Sequence, residues 1–272
     1  MNTIIDSKQV NLSSNSATTS NFPLNSVLFF NMNNILKKEN DILYNTISLI
    51  HAEIPVSYYI VNSTNNILSI SGIIYKLLIG NYNASTFKTM LLGLLGLGWN
   101  LNLSTTTGIY TLNYTTSFVI NSSSTCYSLM GFTKNTTYTS IANSLQFPYQ
   151  CNFLSIKRLK INSNILATNN MDSINNGRSN VLCTIPANNS SFGLIIYNNI
   201  SQFKTIFPNG PLDYIDITIT DESDNLINFN GIDIYLTLQI DTIRNQINDT
   251  SNLIHLLQQN QDNEIAEYNN MI

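Results

Sequence analysis

Between about residues 25 and 241 the chain repeats one arrangement. Short runs of Ile, Leu, Val, Phe and Tyr are separated by Asn, Ser, Thr and Gly. Strands that recur at short spacing, with turn residues between them, can bury their apolar faces only by stacking two sheets or closing one. This punctuation therefore restricts the chain to an all-β sandwich or barrel. A polar segment (1–21) precedes the runs, and a helix-like segment (about 244–268) follows them.

At 272 residues the chain suits one large β domain or two smaller ones. Apolar residues make up 43%, enough for a sizeable core, while charged residues make up only 10%. Asn, at about one residue in six, joins Ser and Thr in covering the surface. The net charge of −4 does not suit wholesale phosphate neutralisation, so no direct nucleic-acid partner is expected. The one basic cluster, Lys157, Arg158 and Lys160, reads as the solvated face of a strand. Cys126, Cys151 and Cys183 form no CxxC pair and have no nearby His, which implies buried reduced thiols and synthesis in a reducing cytosol. Residues 1–21 show no secretory signal, and the longest apolar stretch, Met90 to Trp99, is too short to span a bilayer.

Residues 1–21 are polar and aperiodic, which predicts a flexible arm that the fold can do without. Expected strands follow at 26–30, 42–54, 57–62, 67–70 and 73–79, with Pro55 ending the second. At Asn83 the period changes. Phe87, Met90, Leu91, Leu94 and Leu95 predict one amphipathic helix over 84–96, with Ser85 as N-cap and Gly96 or Gly98 as stop. Strands resume at 99–103, 108–113 and 117–121, and 127–132 is a compact apolar piece. Residues 133–152 read as a long connection. Further strands fall at 156–161, 181–186, 193–197, 214–220 and 232–240. Clean alternation over 214–220 predicts one wet and one buried face. The count reaches the eight strands of a jelly roll. The expected layout is an arm (1–21), a jelly-roll domain with one inserted helix (22–241) and a helical extension (242–272). In that extension Ile243, Ile247, Ile254 and Leu257 lie near heptad spacing, a seam that Gln261 breaks.

Little in these runs could perform chemistry. His51 and His255 are the only histidines, and neither sits in a nucleophile or metal motif. Gly93, Gly96 and Gly98 lie in an apolar helix rather than between a strand and a helix start, so they do not form a phosphate cradle. The densest polar group is Asp213, Asp216, Asp221, Glu222 and Asp224. Its 221–225 segment offers oxygen ligands of the kind Ca²⁺ accepts, but without EF-hand spacing. Asp213 with Glu222, or Asp216 with Asp221, are carboxylate pairs of the type that glycoside hydrolysis uses, but nothing in the sequence places either pair in a cleft. A solvated hairpin turn accounts for all five, so no catalytic, cofactor or metal site is expected.

A series of short motifs carries a resemblance. It runs Ala52-Glu53-Ile54-Pro55-Val56-Ser57-Tyr58-Tyr59-Ile60-Val61-Asn62, then Asn65-Asn66, then Ile79-Gly80-Asn81-Tyr82-Asn83 before the Leu-rich helix and Trp99. Leu129-Met130-Gly131-Phe132, Ile185-Pro186, Gly193 to Tyr197, Ile215 to Asp221, Phe229-Asn230-Gly231 and Leu236 to Ile240 complete it. In this order, over about 25–241, the chain resembles the single jelly-roll penton and minor capsid proteins of virophages, polinton-like viruses and related large DNA viruses of protists. The resemblance implies a structural virion protein, synthesised in the host cytoplasm. Its expected partners are four sister copies in a homopentamer at the capsid five-fold vertices, a double jelly-roll major capsid protein, and a fibre or cap on the outer loops. The polar arm would then order against a neighbour at assembly. The alternatives are another minor capsid or cement protein, or a β-sandwich binding glycans or a host surface through Tyr58, Tyr59, Tyr110 and Tyr114.

Overall fold

The computed structural model describes residues 2–39, 42–154, 156–167, 170–172, 177–245 and 254–261. The chain forms two compact units, one from residues 1–57 with 158–272 and the other from 58–157. The expected single domain over 22–241 is thus divided, with the second unit inserted in sequence into the first.

Before the insertion, the first unit contributes β1 (Asn2–Ser13), β2 (Thr19–Ser20), β3 (Val27–Leu36) and β4 (Ile42–Pro55). The inserted unit contains β5 (Ile67–Ile70), β6 (Ile73–Lys76), α1 (Ala84–Leu95), β7 (Asn100–Leu103), β8 (Tyr110–Asn113) and β9 (Val119–Ile120). It ends with α2 (Tyr127–Met130), β10 (Tyr138–Thr139) and β11 (Ser144–Gln146). The first unit then resumes with β12 (Arg158–Asn162), β13 (Asn170–Asp172), β14 (Gly177–Ser179), β15 (Val181–Pro186), β16 (Leu194–Asn198), β17 (Thr205–Pro208), β18 (Leu212–Thr220) and β19 (Tyr235–Asn245).

The first unit has the jelly-roll strand order. One antiparallel sheet runs β1-β19-β4-β16, with β17 also on β4, and the other runs β15-β12-β18-β3-β2. Lettered B to I along the chain, the eight principal strands give B-I-D-G and C-H-E-F, the two interleaved Greek keys of that fold. Period-2 alternation sets the inner faces. Leu236, Leu238 and Ile240 of β19 are buried, as are Ile215, Ile217 and Ile219 of β18. Irregularities between Thr237 and Leu238 opposite β4, and between Leu212 and Tyr214 opposite β3, bend these long strands.

Three expectations are corrected in this unit. The arm is not a mobile appendage: Asn2–Ser13 pairs antiparallel with Tyr235–Asn245 and buries Val10 and Leu12. Only Gln9, Asn11 and Ser13 alternate with the buried Val10 and Leu12, a period too short to stand out from a polar run that composition alone reads as disorder. Second, the outer face of β18 is wet only in part: Tyr214 is exposed there, whereas Asp216 and Thr220 are buried. The turn after β12 covers Asp216, and Thr220 Oγ1 accepts from Asn162 Nδ2 at 3.0 Å. Ser163 Oγ and the backbone N–H groups of Asn164 and Ile165 donate to the Asp216 carboxylate, at 2.6, 2.8 and 3.2 Å. Third, the segment from Asp241 is not helical at its start, since β19 runs to Asn245. A helix covers 254–261, and the remainder of the expected extension lies outside the described residues.

The inserted unit builds its own core. Phe87, Leu91 and Leu95, spaced four residues apart on α1, pack with Leu101, Tyr110, Leu112, Ile120, Met130 and Phe147. The helix lies where its period predicted. Its N-cap, however, is Asn83, whose Oδ1 accepts from the N–H groups of Ser85 and Thr86, while Thr86 Oγ1 accepts from the Asn83 N–H. This reciprocal pair satisfies donors that the first turn would leave open. Gly96, at φ 85°, ends the helix. Asn83→Ala should cost about 1 kcal/mol, read as a lower denaturation midpoint followed by Trp99 fluorescence. Residues 57–62, expected as a strand, make only the single bridge Val61–Gly80, and the expected connection over 133–152 contains β10 and β11.

Candidate functional site

The outward face of the β1-β19-β4-β16 sheet carries a row of polar side chains that crosses its strands. Register aligns Asn198, His51, Thr237 and Asn11 across four strands. His51 Nδ1 lies 2.8 Å from Asn198 Oδ1, and Thr237 Oγ1 donates to Asn11 Oδ1 at 3.0 Å. The His51 pKa is raised, chiefly by the Asn198 hydrogen bond, against a lowering by burial and with further help from Glu53. Two residues along the same pair of strands, Gln9 and Gln239 stand opposite each other. Such a face of amides and hydroxyls offers many neutral donors and acceptors with little like-charge repulsion, which suits broad hydrogen-bonded contact. Among the described residues, the side-chain partners of His51 are Asn198 and Glu53, neither of them a nucleophile.

The sheet also holds one buried charge. Asp241 on β19 is 1% exposed in its side chain and accepts from Lys204 Nζ, from Ser7 Oγ (2.7 Å) and from Gln239 Nε2 (2.8 Å). Burial opposes its ionisation, but these donors outweigh that cost and hold its pKa below the ordinary carboxylate value. A depressed native pKa contributes stability that is present above the unfolded value and is lost as pH falls through the native one. Asp241→Asn should therefore lose about 1–3 kcal/mol at pH 7. Urea unfolding of the two proteins should converge as pH falls below about 4. A gap that stayed constant into acid would contradict this role.

The acidic cluster expected from the sequence is dispersed. Asp216 is buried under the 163–167 turn. Asp221 Oδ1 accepts from the N–H groups of Ser223 and Asn225, closing its own hairpin turn. Asp224 pairs with Lys160 at 2.8 Å. Among the described residues no three His, Cys, Asp or Glu side chains gather as a metal site. Lys160 departs from expectation, being buried against Asp224, whereas Lys157 and Arg158 are exposed. The thiols are free. Burial pushes Cys126 up to about 12 and raises Cys151 and Cys183 as well, so none is poised as a nucleophile.

Of the four tyrosines expected as an aromatic platform, Tyr58 and Tyr110 are buried. The Tyr110 hydroxyl donates to Ala84 O at 2.7 Å, and burial raises its pKa. Tyr114 stacks on Trp99 at 4.1 Å between ring centres, which leaves Tyr59 as the exposed member. In the inserted unit an open groove of about 610 Å³ runs along the outward side of α1, lined by Leu78, Tyr82, Thr86, Met90, Gly93 and Leu94. Nothing in the sequence marked it, since Met90 and Leu94 belong to the same apolar stripe as the core residues. Among the described residues no helix is long and apolar enough to cross a membrane.

No protein-family model and no curated protein sequence matches the chain. Among solved structures it is similar to the mavirus penton protein, at 12% identity and a TM-score of 0.48, over 87% of this chain and 100% of that one. It is also similar to a chain of the Sputnik virophage cryo-EM structure, at 12% identity and a TM-score of 0.43, over 89% and 99%. Likeness at that level settles neither fold nor function. The jelly roll rests on the strand order of the chain itself.

Proposed function

We propose that the chain is a structural virion protein, a penton subunit that forms homopentamers at the five-fold vertices of an icosahedral capsid beside a double jelly-roll major capsid protein. The observation that carries this reading is the complete B-I-D-G and C-H-E-F strand order in the first unit, joined to the ordered motifs of the sequence resemblance. A fold hosts many functions, so the surfaces matter as well. The outer sheet face carries few charges and is rich in hydrogen-bonding groups, and the buried carboxylates are committed to structural bonds. These features suit a tile rather than a catalyst. Five copies around an axis would use two different patches of each subunit, a heterologous contact that closes into a ring.

The test is multi-angle light scattering of the purified chain, alone and mixed with its shell protein, together with negative-stain imaging. The expected result is a mass five times that of the chain and rings with five-fold symmetry. A chain that stays monomeric in both conditions would overturn the proposal.

A further inference from the structure

Charge is distributed unequally along this chain. The inserted unit carries Lys76, Lys88, Lys134 and Lys157, and has no Asp or Glu anywhere between 58 and 157. Beyond Arg244 the opposite holds: Asp249, Asp262, Glu264 and Glu267 occur with no Lys or Arg. Within that acidic stretch the helix over 254–261 leaves Ile254, Leu256 and Leu257 at least half exposed. Ile254 and Leu257 stand one turn apart on the same face. An exposed apolar helix face in acidic sequence and an apolar groove in a purely basic unit are complementary in both respects.

We propose that the groove along α1 receives the C-terminal segment of a second copy of this chain, with Ile254 and Leu257 seated over Met90 and Leu94. The dimensions allow it. Eight helical residues extend about 12 Å, against about 18 Å for the twelve of α1. Lys88 lies on α1 and Lys76 two residues before Leu78, so both flank the seat in sequence and supply counter-charges to the acidic residues around the helix. This is helix-in-groove recognition, with apolar anchors giving affinity and charge giving orientation.

The test is disulfide capture between full-length chains. One chain carries Thr89→Cys and its partner carries Leu257→Cys, with the unsubstituted chain as the blank for native thiols. Docking in the groove should link the pair about tenfold or more faster than Leu257→Cys links to Thr105→Cys, an exposed control in the same unit. Added salt, which shortens the reach of these charges, should slow the linking, and a peptide of residues 246–272 should compete. Linking no faster than at Thr105→Cys would overturn the proposal. So would a doubly substituted chain that closes only on itself as a monomer. The inference does not rest on the five-fold reading. Five-membered rings without this link would remove the inference alone, and the link in assemblies without five-fold symmetry would remove the capsid reading alone.

Discussion

A chain lacking residues 2–13 is expected to show no cooperative unfolding transition and to aggregate on expression. Strand β1 is the outer member of the β1-β19-β4-β16 sheet, and its register with β19 runs unbroken from Asp6 to Ser13. Its removal uncovers the inner side-chain positions held by Val10 and Leu12, and converts the eleven-residue β19 into an exposed edge. Loss of the two side chains and their packing amounts to about 4–6 kcal/mol. That is a large share of the roughly 5–15 kcal/mol by which a domain is stable. The shorter deletion of residues 2–5 provides the contrast. Ile4 and Ile5 are exposed, so this deletion should change stability by less than about 1 kcal/mol. Circular dichroism melts and size-exclusion chromatography of the two deletions decide the matter. If the longer deletion unfolds cooperatively at the wild-type midpoint, β1 is the dispensable arm that its composition suggests.

Gly131→Ala should be the most damaging single substitution in the inserted unit. Gly131 closes the four-residue helix α2 at φ 83°, and its N–H donates to Tyr127 O at 2.9 Å. A Cβ there would lie 2.1 Å from Tyr149 O, a backbone atom with no rotamer to move. Tyr149 is itself held by its N–H to Gly131 O, and Asn152 N–H donates to Ser128 O nearby, so the collision pulls on a bonded pair of segments. The left-handed conformation costs about 1–2 kcal/mol for an L residue. With the collision added, the total should reach about 3–5 kcal/mol. Gly93→Ala provides the opposite sign. It lies within α1 with no atom within 4 Å of the new methyl group, and should stabilise by about 0.5–1 kcal/mol. Trp99, the only tryptophan, stacks on Tyr114 within this unit and reports its unfolding separately from the jelly roll.

Two kinds of structure were legible from residues alone. The helix over Ala84–Leu95 was visible because its apolar spacing repeats for three turns. The inner strands β18 and β19 were visible because their alternation is uninterrupted. Edge elements were harder to read. The strand β17, with Ile206 exposed and Phe207 buried, is too short to show a period, and β1 hides two buried side chains in a polar run. The buried roles of Asp216, Asp241 and Lys160 were also not visible. Each depends on a partner more than thirty residues away, whereas local pattern treats a charged residue as solvent-facing.

The order of apolar runs and turn residues determined that this chain is a β sandwich, with one helix where the period changes from two to three and four. It did so because side-chain periodicity is a local property of the backbone. Only the tertiary structure decided that the first residues complete a sheet with the last strand, and that residues 58–157 form a second unit with a core of their own. Both outcomes are set by which distant faces are left to be covered, a quantity that no stretch of sequence contains by itself.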